Sequence, residues 1–284
     1  VNNHKVSDVR IDDLTDVELH DMLQYWLSTE RGKIIVTTNA EFLLLARENK
    51  TFQDQLNASD LSLPDSVSLR YAVAALTDSS LMHRHPGVDV LHFLACLCAE
   101  QGKRLLLLGG AHGVAQATAT KFVQSLSERD KNSSIRKVVP NMNIVSIDPG
   151  HVEYDGTNIT ISPSVQDQIR DVAPDVVAVA LGQGKQEAFM FQARDLFPNV
   201  KIWIGVGGAF DMLSGMKRRS PSWMRALGLE FVWRLMVEPN RWRRILNASV
   251  VFPFAVALST LKSHRFLKAL ARVFPEVYRQ LRGL

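Results

Sequence analysis

Short apolar runs alternate with helix-length segments along most of this chain. Lys33 to Thr37, Asp60 to Leu63, Arg104 to Leu108, Asn143 to Ile147, Val176 to Leu181 and Lys201 to Val206 are rich in Val, Ile and Leu. In Val176 to Leu181 and Lys201 to Val206 the apolar, largely β-branched positions run together, the pattern of buried parallel strands. Helical spacing marks Thr15 to Ser28, Ala40 to Glu48, Phe52 to Ala58, Val67 to Leu76, a segment from Arg84 to about Gln101, Ser164 to Val172 and Gln186 to Phe197. Thr15 with Glu18 three residues on has the form of a capping box. Val152 to Tyr154 and Ile159 to Ile161, joined through Asp155-Gly156, predict a small β-hairpin. Ser127 to Pro140 is polar and predicts a loop. Repeated strand–turn–helix units predict an α/β fold: a Rossmann-like, mostly parallel sheet with flanking helices. No internal repeat is visible, and no linker interrupts the pattern before about residue 212.

Polar residues and glycines gather where the predicted strands end. Gly182 and Gly184 follow one strand; Gly205, Gly207 and Gly208 follow another; Gly109, Gly110 and Gly113 follow a third. Such turns let a ligand approach backbone N–H groups at the carboxyl ends of parallel strands, where open α/β sheets bind ligands. Lys185, Gln186, Glu187 and Asp211 are delivered to the same edge, so these turns read as half of a nucleotide-phosphate site. The plainer alternative is that the glycines only end strands and Gln186 caps a helix. Thr37 and Asn39 sit at another strand end, and Asp65 at the next. Helix capping is the competing role for Asn39 and Asp65, and residue type does not separate it from catalysis. The run Gly205-Val206-Gly207-Gly208-Ala209-Phe210-Asp211 is not the G-x-G-x-x-G dinucleotide fingerprint.

Charge divides the chain. From Met216 to Leu284 there are 14 Lys or Arg against 3 Asp or Glu, leaving 19 basic and 26 acidic residues in the remainder. An acidic body with a basic tail points to an anionic partner at the tail. There Trp223, Phe231, Trp233 and Trp242 interleave with Arg225, Arg234, Arg241, Arg243 and Arg244, the pattern of an interfacial helix. The apolar stretch Val250 to Leu261 suits lipid better than nucleic acid. At 12 positions, with Pro253 inside it, it is too short to span a bilayer. The polar N-terminus has no signal-peptide apolar region. Cys96 and Cys98 are spaced for neither a disulfide nor a metal, consistent with a reducing compartment. His83, His85 and His92 lack a ligand partner at metal spacing. The boundaries predicted are a catalytic core over 1–214 and a basic, aromatic, membrane-docking helical appendage over 215–284.

Taken in order, the turns resemble the WecG/TagA/CpsF glycosyltransferases. The matching segments are Thr37-Thr38-Asn39-Ala40-Glu41-Phe42, Pro64-Asp65, Arg84-x-x-Gly87-x-Asp89, Leu108-Gly109-Gly110, Leu181-Gly182-x-x-Lys185-Gln186-Glu187 and Gly205-Val206-Gly207-Gly208-x-Phe210-Asp211. They continue through Lys217-Arg218-x-x-Pro221-x-Trp223, Gly228-Leu229-Glu230 and Arg234-Leu235-x-x-Glu238-Pro239-x-Arg241. The resemblance implies an inverting, metal-independent transfer of an N-acetylmannosamine-type or related sugar. The donor would be a UDP-sugar and the acceptor a polyprenyl-diphosphate-linked sugar in surface-polymer synthesis. It implies that Asp65 is the general base, with Thr37 and Asn39 beside the acceptor sugar and Arg84, Gln186 and Asp211 in the donor pocket. Gly109, Gly110, Gly182, Glu187, Gly207 and Gly208 would line the nucleotide. Arg218, Arg219, Trp223, Arg225, Arg234 and Arg241 would meet the diphosphate or an anionic membrane at its cytoplasmic face. No cofactor is implied; self-association is compatible with it.

This chain departs from the family pattern at Gly182-Gln183-Gly184 and at Asp148-Pro149-Gly150-His151-Val152, which leaves the donor sugar open. Two further readings carry their own signatures. A nucleotide-dependent oxidoreductase would need an acidic ribose-binding residue after a G-x-G-x-x-G turn, and none is well placed. A nucleotide-sugar or lipid-binding regulator without turnover would not require Thr37, Asn39, Asp65 and Arg84 together.

Overall fold

The computed structural model describes residues 1–132, 143–216, 220–221, 224, 230–239 and 242–282; the side chains of 125–132, 230–231 and 234 stand outside that description. The chain opens with a hairpin that the sequence pattern did not predict. Strands β1 (Asn2–Val6) and β2 (Val9–Asp13) pair antiparallel. Val6, Val9 and Ile11 turn inward and are buried. The turn residues Ser7 and Asp8 both have positive φ, 49° and 62°, so the tight turn forms without the usual Asn-Gly signal. Helix α1 (Asp16–Thr29) follows, and Thr15 and Glu18 form the predicted capping box.

Next come β3 (Lys33–Thr38), α2 (Ala40–Glu48), α3 (Lys50–Ala58), β4 (Leu61–Pro64), α4 (Val67–Leu76), α5 (Gly87–Gln101), β5 (Arg104–Gly109) and α6 (Val114–Asn132). Helix α6 runs through 127–132, where a loop was expected; residues 133–142 lie outside the described set. After it stand β6 (Asn143–Ile147), the small antiparallel pair β7 (Glu153–Tyr154) and β8 (Ile159–Thr160), α7 (Pro163–Val172), β9 (Val176–Ala180), α8 (Lys185–Leu196), β10 (Ile202–Gly205) and α9 (Ala209–Leu213).

Six strands form one sheet in the order β4-β3-β10-β9-β5-β6, parallel throughout. The chain steps outward from β3 to β4 and in the opposite sense from β5 to β6, with β9 and β10 in the middle. All six carboxyl ends therefore meet along one edge, flanking the topological switch where such sheets hold ligands. One face buries Trp203, Phe189 and Phe197 beneath α2, α3, α4, α7 and α8; the other buries Leu105, Leu107 and Ile204 beneath α1, α5, α6 and α9. Covering both faces with apolar side chains makes the parallel arrangement stable.

Beyond α9 the described elements are α10 (Glu230–Val237), α11 (Trp242–Lys262) and α12 (Phe266–Leu281). The expected short apolar stretch is corrected here. α11 is one helix of 21 residues, long and apolar enough by length and composition to cross a membrane, and only 17% of its apolar window is buried. Pro253 does not end it because a π turn, Asn247–Val251, precedes the proline and absorbs its irregular hydrogen bonding. α11 lies against the domain: Phe252 and Thr260 are buried, and Arg47 donates to Ser259 Oγ at 3.1 Å. α12 packs on α4, with Ala269 and Glu276 on its buried side.

Candidate active site

Asp65 and Asn39 occupy equivalent positions, each just past a strand end, yet their side chains do different things. Asn39 is the N-cap of α2; its Oδ1 accepts from the N–H groups of Glu41 at 3.0 Å and Phe42 at 3.2 Å. That leaves its Nδ2 as the group able to face a substrate. Asp65 does not cap α4, whose N-cap position is Ser66. Instead Asp65 Oδ1 accepts the N–H of Gly87, the first residue of α5, at 2.8 Å. The carboxylate thus reaches past its own helix to a first-turn N–H of α5, which it satisfies across 22 residues of sequence. Its backbone is fixed by the Asp65 N–H donating to Thr38 O at 2.8 Å.

The loop before α5 closes over this strand end. The Arg84 guanidinium donates to Asp65 O at 3.4 Å, and His85 N–H donates to Pro64 O at 2.9 Å. Gly87 also stands against Thr37: a Cβ there would meet Thr37 Cγ2 at 3.3 Å. Thr37 is buried, and its hydroxyl donates to Gly205 O at 2.8 Å, tying β3 to β10. Thr37, Asp65, Arg84 and Gly87 thus form one cluster at the edge of the sheet.

A second network joins the glycine turns. Gly207 N–H donates to Gln186 Oε1 at 3.0 Å, and Gln186 Nε2 donates to Glu187 Oε1 at 2.7 Å. Glu187 Oε2 accepts Gly184 N–H at 2.7 Å. The glutamate is wholly buried, and that burial pushes its carboxyl up to about 7, against the pull of the Gln186 amide and the Gly184 N–H. Glu187 and Gln186 therefore hold the turns after β9 and β10 in register, and the Gly207 N–H is committed to this relay. A Cβ on Gly205 would lie 2.8 Å from Gln186 Nε2, so the strand must end in glycine for the amide to pass. At β5, Gly110 N–H donates to Ala180 O at 2.9 Å, and a Cβ on Gly109 would lie 2.8 Å from the same oxygen. Gly182 and Gly207 have positive φ and open space where a Cβ would stand. Gly208 precedes α9, which carries Asp211 in its first turn.

The predicted residues fall into a row along the carboxyl edge: Asp65 and Arg84 at β4, Thr37 and Asn39 at β3, Gly207 to Asp211 at β10, Gly182 to Glu187 at β9, and Gly109-Gly110 at β5. His112 is exposed and pairs with Asp148 at 2.9 Å, at the rim beside β6. Arg218, Arg219, Trp223, Arg225 and Arg241 lie outside the described residues, and Arg234 is described only as part of the α10 backbone. Sequence reasoning read Arg244 only as part of the interfacial pattern and missed its two-pronged contact with Glu41 (Nη2 to Oε2 2.9 Å, Nε to Oε1 3.0 Å) at the start of α2. It also missed the role of Gln183, whose Nε2 donates to Glu41 O at 3.0 Å. Gly87 was visible only as the glycine of Arg84-x-x-Gly87-x-Asp89.

The sequence model of the Glycosyl transferase WecG/TagA/CpsF family matches residues 4–266. The chain belongs to this family. A protein of Bacillus subtilis (strain 168) is 33% identical over 224 residues, covering 79% of each chain; it is an N-acetylglucosaminyldiphosphoundecaprenol N-acetyl-beta-D-mannosaminyltransferase. A protein of the same name from Bacillus spizizenii (strain ATCC 23059 / NRRL B-14472 / W23) is 30% identical over 239 residues, 83% of this chain and 84% of that one. The match takes in the whole row of strand ends together with α10 and α11. Most of α12 lies beyond it.

Proposed function

We propose that this glycosyltransferase moves an N-acetylmannosamine-type sugar from a UDP donor to a polyprenyl-diphosphate-linked N-acetylglucosamine, with inversion and without a metal. The observation that carries the reading is Asp65, whose carboxylate reaches past its own helix to Gly87 and whose backbone carbonyl meets the Arg84 guanidinium, in a chain whose relatives are named for this transfer. Asp65 takes the proton from the acceptor hydroxyl as that oxygen attacks the anomeric carbon of the donor. The bond to the diphosphate breaks on the opposite face, and UDP leaves with the electron pair. Arg84 stabilises the charge that gathers on the leaving group, and the glycine turns let the backbone approach it closely. Asn39 Nδ2 orients the acceptor sugar.

The acceptor's lipid tail explains the second half of the molecule. α11 lies along the domain with Phe254 68% exposed, and α12 turns Leu267 (81%) and Phe274 (76%) outward. Exposed apolar surface of this extent on a folded domain calls for a partner. Arg243 and Lys262 beside these faces favour anionic lipid, whereas Arg244 and Lys268 pair with Glu41 and Asp78. On this reading the enzyme is peripheral, at the cytoplasmic face of the membrane, and its product enters cell-envelope polymer synthesis.

The test is UDP release from a panel of UDP-sugars, with and without a short-chain polyprenyl-diphosphate N-acetylglucosamine, in the presence of EDTA. Acceptor-dependent release with the N-acetylmannosamine donor, unchanged by EDTA, is expected. Release only after a divalent cation is restored, or none with any donor, would contradict the proposal.

A further inference from the structure

Arg84 is held from behind as well as from the sheet, and the holding group belongs to the unforeseen hairpin. We propose that Asp13, at the end of β2, is a positioning residue that sets Arg84 against Asp65. The inference rests on the glycosyltransferase reading for its principal assay. The Asp13 carboxylate is buried and faces the loop between α4 and α5. Its Oδ2 accepts Met82 N–H at 2.9 Å, and its Oδ1 accepts His83 N–H at 3.0 Å while meeting His83 Nδ1 at 2.8 Å. These contacts fix the two residues directly before Arg84. Just after Arg84, His85 Nε2 meets Leu14 O at 2.8 Å, so the residue that follows Asp13 holds the other side.

The neighbouring aspartate grips the second partner. Asp12 Oδ2 accepts Ser62 N–H at 2.8 Å, on the outer edge of β4 and three residues before Asp65. Arg10 supports it, with Nε 3.1 Å from Asp12 Oδ1 and a guanidinium bond to Ser59 O at 2.6 Å. Two consecutive carboxylates from one short hairpin thus clasp the two segments that carry Asp65 and Arg84. Packing alone does not call for this pair, since Val6, Val9 and Ile11 already bury the hairpin. Backbone donors converging on one carboxylate call for a group that only accepts. Burial pushes the Asp13 carboxyl up, but the Met82 and His83 donors outweigh it and hold it below the usual carboxylate range.

Asp13→Asn turns an amide donor toward one of those N–H groups, so the loop must shift while the hairpin's apolar contacts remain. The expected result is a fall in kcat for acceptor-dependent UDP release of up to about a hundredfold, the scale of a 1 Å misplacement, with cooperative melting retained. In an Arg84→Ala background the same change should have no further effect, because the two residues act as one unit. Effects that multiply, or a wild-type kcat in Asp13→Asn, would overturn the proposal. Should Asp13→Asn fail to fold, His83→Ala removes the ring contact and carries the same cycle, with a smaller fall that Arg84→Ala must also abolish. If the wild type turns over no donor, the glycosyltransfer reading fails separately, and the cycle is then read on UDP affinity by calorimetry. Non-additive losses there support the clasp; additive losses, or no UDP binding at all, refute it.

Discussion

Glu187 is completely buried, and its carboxylate accepts from the Gln186 amide and the Gly184 N–H. In the unfolded chain it titrates near its ordinary 4.5, and in the folded protein near 7. Between those values the folded state holds the extra proton, so stability declines as pH rises from about 4.5 to about 7. The loss is on the order of 3 kcal/mol once pH exceeds 7, at about 1.4 kcal/mol per pH unit. Asp13 and Asp148, both held low, act in a different window: their stabilisation disappears as pH falls below the ordinary carboxylate range. Glu187→Gln cannot ionise, so the decline between about pH 5 and 7 should flatten in urea unfolding curves. An unchanged slope would assign that titration to another group. Because the glutamate sets Gln186, the same variant should also weaken UDP binding.

At the scale of elements, the carboxyl edge depends on turns that only glycine can make. Gly109 has φ of +99°, and a Cβ there would press on Ala180 O. Gly109→Ala should cost about 2 kcal/mol of stability, a typical strain for a side chain forced into that region. The check is denaturant unfolding: a midpoint unchanged from wild type would show that the turn can move aside. Most of this architecture was legible in the sequence. Strands buried on both faces declare themselves as apolar runs, so the six sheet strands fell within a residue or two of expectation, while α5 starts three residues late and α6 runs past the loop expected from Ser127. The hairpin did not, because its inward residues are few and its turn uses Ser7 and Asp8 in place of glycine or asparagine. α11 was read as a short stretch because Pro253 looks like a break until the π turn is seen. At the site, Asp65, Arg84 and the glycine turns could be named, but their roles depended on a contact 22 residues long in the Asp65–Gly87 case and 70 in the Asp13–His83 case. Spacing along a chain carries no trace of such pairings, which is why capping and catalysis could not be told apart.

For the whole molecule, the sheet edge and the C-terminal helices form one device. Arg244 fastens α11 to the start of α2, next to Asn39, while Arg265, Lys268 and Arg272 converge on Asp78 after α4. The apolar faces of α11 and α12 are thus carried by the two helices that begin beside Asn39 and Asp65. Phe254→Glu with Phe274→Glu should abolish co-flotation with anionic vesicles and leave turnover of a short, water-soluble acceptor intact. Flotation equal to wild type would remove these helices from the membrane contact. The central claim is that transfer occurs at this edge with Asp65 as base, and the most direct measurement is acceptor-dependent UDP release by wild type and Asp65→Asn under identical conditions. The account predicts a fall of at least about a hundredfold in kcat with UDP affinity and melting temperature nearly unchanged. A wild-type rate in Asp65→Asn would contradict it.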